Sequence, residues 1–186
     1  MIAIKKSKAL HKRILYIIFT GLSVMLVIAL SFLPFENLFV TFDSPKVAYE
    51  YFCLGKSNIE LILEGDDCDF IVDRKNDYDT YLIVPKFEDG WKIGIGSDTR
   101  RIIQKLYDGI VVYVYQYKNT NEYFITILDA NGGEVAVSDE YSTKFYSLAR
   151  DNSSLGKTLV TYYAHITNLD FSYNITVNEH KIALKE

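Results

Sequence analysis

The densest cluster of side chains that could bind a metal or take part in catalysis is a run of carboxylates in the first half of the chain. Seven lie between residues 64 and 79: Glu64, Asp66, Asp67, Asp69, Asp73, Asp77 and Asp79. Acidic loops of this kind can hold Ca²⁺, which takes about six to eight oxygen ligands. The one-three-five spacing of an EF-type loop and its glutamate at the twelfth position are both missing. The spacing therefore favours solvated turns over a metal site, and we predict no bound metal.

Three tyrosines alternate along one short segment. Tyr113, Tyr115 and Tyr117 are separated by Val114 and Gln116, so a strand would place all three phenols on one face. Such a stripe could bind a sugar or a peptide, because tyrosine combines apolar area with a hydrogen-bonding tip. The alternative is packing between strands on the half-buried face of a sheet. We keep the three tyrosines as the candidate ligand-binding residues.

Cys53 and Cys68 are the only cysteines. In an oxidising compartment they could form a disulfide, and closing this loop would contribute about 3 kcal/mol in the chain-entropy model. The alternative is that Cys53 is simply buried on the apolar face of a short helix. His165 and His180 lie on different predicted strands, and a metal would need a third ligand that the sequence does not identify.

Enzyme motifs are absent from the sequence. It contains no Gly-x-Ser-x-Gly, no His-Glu-x-x-His, no glycine-rich phosphate loop and no Ser-x-x-Lys with its companion motifs. We therefore predict that the protein is not an enzyme and needs no cofactor. The remaining enzymatic alternative is a small envelope hydrolase that uses two carboxylates across a cleft.

The element that must position everything else is an apolar run from Ile14 to Leu33, which contains no charged residue. A helix of about twenty residues matches the hydrocarbon thickness of a bilayer, so we predict a transmembrane helix over residues 14–33. A cleaved signal peptide is the alternative, but its hydrophobic region is usually only about 7 to 15 residues long. An uncleaved anchor is therefore favoured.

Charge is distributed very unevenly around this run. Five of the 20 basic residues precede it, and none of the 24 acidic residues does, which leaves a formal charge of −9 beyond it. Basic flanks stay on the cytoplasmic side, so we predict a plasma-membrane protein with a cytoplasmic tail (1–13) and an extracytoplasmic domain. The acidic balance disfavours nucleic acid as a partner.

The segment after the run is predicted to contain one short helix and then many strands. Ser44 and Pro45 are suited to the cap and the first turn of a helix that reaches about Leu54, within a juxtamembrane segment of residues 34–57. From residue 58 to residue 186, alternating apolar residues and frequent turns predict one antiparallel β domain of about eight to ten strands, a sandwich or an open barrel. The fold class is mainly β.

Within the β domain, Asp108-Gly109 predicts a tight hairpin, since a type I′ turn needs positive φ at both positions. The strands over 110–118, 123–128 and 134–137 are predicted to form a meander. Residues 139–156 form the longest polar stretch, and they are predicted to be a mobile loop. A final hairpin is predicted around residues 178–180.

These observations lead to one functional hypothesis and two alternatives. The chain is expected to be a single-pass, membrane-anchored binding or interaction module of the cell envelope, held by the bilayer and facing an unknown protein or glycan partner. The composition, rich in Lys, Tyr and Asn, is typical of surface proteins of Gram-positive bacteria. The alternatives are an accessory subunit of a membrane complex and the carboxylate-dependent hydrolase.

Overall fold

The computed structural model describes residues 14–27, 40–75, 78–94, 99–152, 156–170 and 172–184. The chain divides into two compact units, Met1–Glu36 and Asn37–Glu186. The first unit contains helix α1, which covers residues 14–27. The second contains helix α2 and all of the described strands.

Helix α1 coincides with the first part of the predicted transmembrane helix. In the parts of the chain that the structure describes, no helix has both the length and the hydrophobicity needed to cross a bilayer. The structure therefore does not support the helix predicted over residues 14–33. Residues 28–33 of that prediction lie outside the described residues, as do the tail 1–13 and residues 34–39 of the predicted juxtamembrane segment.

Helix α2 (Pro45–Phe52) begins and ends close to where the sequence predicts. The Ser44 hydroxyl accepts a hydrogen bond from the Val47 amide at 3.2 Å, which satisfies one of the free N–H groups of the first turn. The helix stops as Leu54 and Gly55 adopt positive φ values of 54° and 71°. The predicted short helix is confirmed.

The second unit is mainly β, and its strands pair in antiparallel fashion, as predicted. Twelve strands are described, against the eight to ten expected, and they form three sheets. The first sheet has the order β1-β2-β3-β4 and consists of β1 (Ile59–Leu63), β2 (Cys68–Lys75), β3 (Tyr78–Phe87) and β4 (Gly90–Trp91).

The second sheet is the largest and has the order β5-β6-β7-β10-β9. Its strands are β5 (Thr99–Tyr107), β6 (Ile110–Tyr117), β7 (Glu122–Asp129), β9 (Tyr146–Asn152) and β10 (Lys157–Thr167). The third sheet has the order β12-β11-β8 and consists of β8 (Val137–Asp139), β11 (Asn174–Val177) and β12 (His180–Ala183).

The second sheet lies between the other two. One of its faces packs against the first sheet, where Phe70 contacts Phe124 with ring centroids 5.0 Å apart. Its other face packs against the third sheet through a cluster that includes Ile125 and Ile175. Strand β7 is buried on both faces for this reason, which explains why its sequence is nearly continuously apolar. Helix α2 covers the outer face of the first sheet.

Tight turns confirm the predicted hairpins. Asp108 and Gly109 have φ values of 44° and 82°, and Tyr107 pairs with Ile110 across the turn. Asn178 and Glu179 also have positive φ, and they connect β11 to β12. Asp108, Gly109 and Asn178 are residue types that tolerate the left-handed region of backbone space, whereas Glu179 is not.

Two predictions about strand pairing are wrong. Residues 146–152, inside the predicted mobile loop, form strand β9, an edge strand whose side chains are mostly exposed and which pairs with β10. The predicted meander ends after β7, because β10 takes the place beside β7 that was predicted for residues 134–137. Val137 instead begins β8, which pairs with β11 in the third sheet.

Candidate functional site

One concave feature of the second unit is a pair of adjoining cavities, which we call the His165 cleft. Each cavity has a volume of about 480 Å³, and both are lined by Lys144 and His165. The remaining lining residues of the first cavity are Tyr141, Thr143, Ile166, Thr167, Asn168, Asp170 and Tyr173. Those of the second are Ile62, Leu63, Glu64 and Tyr146.

The wall formed by the β8–β9 connection is held by Asp139, the last residue of β8. One carboxylate oxygen accepts hydrogen bonds from the Tyr141 amide at 3.0 Å and the Thr143 amide at 2.9 Å. The other accepts the Tyr173 hydroxyl. Burial by itself raises the pKa of Asp139, but the hydrogen bonds from Thr143, Tyr173 and Tyr141 outweigh it and hold the pKa below its ordinary value.

Two aromatic rings stand at the rim of the cleft. Tyr141 is 56% exposed and stacks on the buried Tyr173, with ring centroids 5.1 Å apart and an interplanar angle of 13°. Tyr146, at the start of β9, is 37% exposed and has the Lys144 ammonium 4.5 Å from its ring centroid. The rim therefore presents oriented aromatic surface next to a cation.

The floor of the cleft contains a histidine paired with a buried carboxylate. His165 on β10 stacks on Phe124 with centroids 5.0 Å apart, and its Nε2 lies 3.3 Å from Oε1 of Glu122. Glu122 is 3% exposed and accepts hydrogen bonds from the backbone amides of Asp66, Asp67 and Cys68, in the turn between β1 and β2. This carboxylate joins the second sheet to the first.

Cys68 lies beside the same carboxylate, but the geometry does not make it a nucleophile. Its Sγ is 3.3 Å from Oε2 of Glu122, and the residue is fully buried. Burial, and then the negative charge of Glu122, raise the pKa of the thiol. A thiolate is the reactive form of cysteine, so Cys68 has the environment of a buried, unreactive thiol.

The predicted tyrosine stripe does share one face of β6, but that face belongs to the core. Tyr115 is only 8% exposed and packs on Phe70 and Tyr81 at centroid distances of 5.5 and 5.6 Å. Burial raises its pKa to about 12. Tyr113 and Tyr117 are partly buried against the same cluster. The contacts of Tyr115 match the packing alternative, and ligand binding by the three tyrosines stays a prediction.

The two cysteines are free thiols, so the disulfide considered from the sequence is not formed. Cys68 belongs to the cluster between the first and second sheets, whereas Cys53 packs in the cluster beneath α2. Successive residues of a strand point to opposite faces, and β2 separates these two clusters. Cys53 is only partly buried there, which agrees in part with the alternative considered from the sequence.

The predicted acidic cluster is divided by the first sheet into exposed and buried carboxylates. Asp73 is fully buried and accepts a hydrogen bond from the Tyr49 hydroxyl at 2.9 Å, which ties α2 to β2. Among the described residues, no group of three acidic, histidine or cysteine side chains is arranged to hold a metal. Asp77 lies outside the described residues.

A smaller cavity of about 380 Å³ bears on the hydrolase alternative, because Glu64 and Asp69 both line it together with Trp91. Burial raises the pKa of Asp69, as a general acid would require. However, the two oxygens of Asp69 already accept the Gly65 amide and the Trp91 indole N–H. Asp69 is also only 2% exposed, so this carboxyl has the contacts of a structural residue.

Sequence reasoning did not identify the residues of the His165 cleft. Tyr141, Lys144 and Tyr146 lie in the stretch predicted as a mobile loop, and His165 was considered only as half of a metal site. One signal was present, namely Asp139 followed closely by Thr143, since a short acidic side chain can bond the amides two and four residues later. His180, by contrast, contacts the ring of Tyr107 in a tilted arrangement, and it does not line the cleft.

Comparison with protein-family models, with curated proteins and with solved structures found no match to this chain.

Proposed function

We propose that this chain is a membrane-anchored binding module of the cell envelope. In this proposal, residues 1–13 lie in the cytoplasm, a helix within residues 14–33 lies in the bilayer, and the β unit lies outside the cell. The observation that carries the proposal is the surface of α1. Every described residue of this helix is exposed, and eleven of them are large apolar side chains, including Leu15, Phe19 and Met25 at 69%, 69% and 71% exposure.

A helix that is apolar on every side is stable only where its surroundings are apolar. Water would leave these eleven side chains exposed at a cost of about 1.5 to 3 kcal/mol for each that could otherwise be buried. A lipid bilayer removes that cost. The basic residues that precede the helix, and the formal charge of −9 beyond it, support the orientation given above.

The binding part of the proposal is supported by the His165 cleft. Ligand sites are usually concave, have volumes of about 300 to 1,000 Å³, and contain a few convergent polar groups. The two cavities of the cleft are of this size, and they bring Lys144, His165 and Tyr141 to one place. An anchor also keeps the module near other envelope components, so a modest affinity is sufficient.

The anchor is tested by placing charge on α1. A double substitution of Phe19→Arg and Met25→Arg adds about 2.5 to 3.5 kcal/mol of insertion cost for each arginine. We expect this variant to leave the membrane fraction on alkaline extraction. The matched control is Leu54→Arg with Leu106→Arg, since these side chains are 61% and 73% exposed on the β unit. Equal membrane retention of both double variants would contradict the anchor.

The orientation is tested by a reporter fused after Glu186. Alkaline phosphatase should be active there and β-galactosidase should not, because only the former works outside the cytoplasm. Replacing the five basic residues before Ile14 by glutamine should weaken this preference, since basic flanks set the orientation. Activity of β-galactosidase in the unaltered chain would overturn the extracytoplasmic assignment.

A further inference from the structure

The rim of the His165 cleft offers a flat aromatic surface that is held in place before any ligand arrives. One side of the Tyr141 ring stacks on Tyr173, which is only 3% exposed and whose hydroxyl binds Asp139. Tyr141 itself remains 56% exposed, so apolar ring surface is left in contact with water. The loop that carries it is fixed by two backbone hydrogen bonds to Asp139. A ligand with a flat apolar face would cover this ring without reorganising the loop.

The polar groups of the cleft include donors and acceptors in a mixed arrangement. Lys144 can only donate hydrogen bonds, Glu64 and Asp170 can only accept them when ionised, and Asn168 and Thr167 can do both. The two cavities together are lined by one lysine and two carboxylates, so a phosphate or another anion would meet an excess of negative charge. A neutral ligand that both donates and accepts around its edge fits this lining better.

We propose that the His165 cleft binds a neutral saccharide chain. A pyranose ring has an apolar face of C–H groups, which can stack on Tyr141, and a rim of hydroxyl groups that donate and accept hydrogen bonds. The second cavity shares Lys144 and His165 with the first and is also lined by Tyr146, so it offers space for a second sugar ring. This inference names the ligand class of the binding function proposed above and rests on it.

The test uses the full-length chain in lipid nanodiscs and three neutral trisaccharides as probes: chitotriose, cellotriose and maltotriose. Trialanine is the peptide probe. We expect at least one trisaccharide to bind in calorimetric titration, and Tyr141→Ala to weaken its affinity by about tenfold, the value of one lost stacking contact. Tyr141→Trp should retain binding, because the substitution keeps a flat aromatic ring at this position.

The matched control is Tyr107→Ala. Tyr107 is 46% exposed and also contacts another ring, that of His180, with centroids 5.3 Å apart, but it does not line the cleft. Its replacement should leave trisaccharide affinity unchanged. Circular dichroism and thermal melting of each variant check that the fold is retained, and Tyr146→Ala provides a second cleft variant if Tyr141→Ala unfolds.

Three results would overturn the saccharide site: no binding of any trisaccharide at millimolar concentration, binding that is insensitive to both cleft tyrosines, or tyrosine-dependent binding of trialanine alone. The last result would indicate a peptide site and would leave the proposed binding function intact. Failure of the anchor is seen separately, as release from the membrane or a cytoplasmic reporter signal, whatever the titrations give.

Discussion

A Cβ atom on Gly65 would lie 2.4 Å from Oε1 of Glu122, so the turn between β1 and β2 can close over this carboxylate only because residue 65 has no side chain. Glu122 belongs to the second sheet and Gly65 to the first. Their close approach lets the carboxylate accept the amides of three consecutive residues that follow Gly65. The relationship joins two sheets through one buried charge.

Replacing Gly65 by alanine should destabilise the β unit by about 1 to 3 kcal/mol, the usual cost of forcing extra volume into a packed site. The new methyl group would also lie 2.4 Å from the carbonyl oxygen of Cys68, which is backbone and cannot rotate away. Urea denaturation measures the change. Gly94→Ala is the control, because nothing lies within 4 Å of its added Cβ. Equal stability of the two variants would contradict the close approach.

Replacing Glu122 by glutamine should also cost about 1 to 3 kcal/mol, because one carbonyl oxygen cannot accept all of the hydrogen bonds that two carboxylate oxygens accept. The side-chain NH2 group of the new glutamine would face a backbone N–H group, and two hydrogen-bond donors cannot bond to each other. Glu134→Gln, at an exposed position, should have little effect. If both variants unfold at the same urea concentration, the buried carboxylate does not hold the turn.

Replacing Tyr115 by serine should lower the free energy of unfolding of the β unit. The ring packs on Phe70 and Tyr81 between two sheets, and the loss of a large buried aromatic side chain typically costs about 3 to 5 kcal/mol. Thermal melting measures the effect, and Tyr78→Ser, at a tyrosine that is 58% exposed, is the control. If Tyr115→Ser melts at the same temperature as the control, the result favours a binding surface over a packing role for the stripe.

Asp69 and Asp139 should change the free energy of unfolding of the β unit with pH in opposite directions. The folded-state pKa of Asp69 is raised, chiefly by burial, so its ionisation opposes folding. Stability relative to Asp69→Asn should therefore fall as pH rises above the unfolded value of about 3.9. The hydrogen bonds of Asp139 lower its folded-state pKa, so its ionised form stabilises the folded protein. This stabilisation, measured against Asp139→Asn, is complete above about pH 3.9 and is lost as the pH falls below that value.

The measurement is the free energy of unfolding of the unaltered chain and both variants between pH 3 and pH 7, and the slopes of the differences are compared. Constant offsets between variants carry no information about titration, since each amide also changes hydrogen bonding. Slopes of the same sign for Asp69 and Asp139 would contradict one of the two assignments.

Thiol reactivity should distinguish the two cysteines. Cys68 is fully buried and its pKa is raised by burial and by Glu122, whereas Cys53 is partly exposed. Iodoacetamide should therefore modify Cys53 first in the native protein, as read by peptide mass spectrometry, and both thiols equally in denaturant. Cys53→Ser should remove the early modification. Recovery of a peptide pair joined through Cys53 and Cys68 would contradict the free thiols.

Much of the local structure could be predicted, because neighbouring residues specify it. Ser44 and Pro45 start α2, and Asp108-Gly109 closes the β5–β6 hairpin, since each conformation depends on a few adjacent side chains. Strand β9 could not be predicted in this way. The sequence of β9 is largely polar, and β9 is extended because it pairs with β10. Only one face of β9 is partly buried.

The sequence by itself determined the class of the β unit, the positions of its turns, and the contrast between an apolar basic-flanked segment and an acidic remainder. These properties depend on composition and on short-range pattern. Only the tertiary structure decided that Tyr115 packs between two sheets, that the cysteines lie in separate clusters, and that the His165 cleft exists. The physical reason is that each depends on contacts between distant residues, such as Asp66 and Glu122, 56 positions apart, which no local pattern encodes.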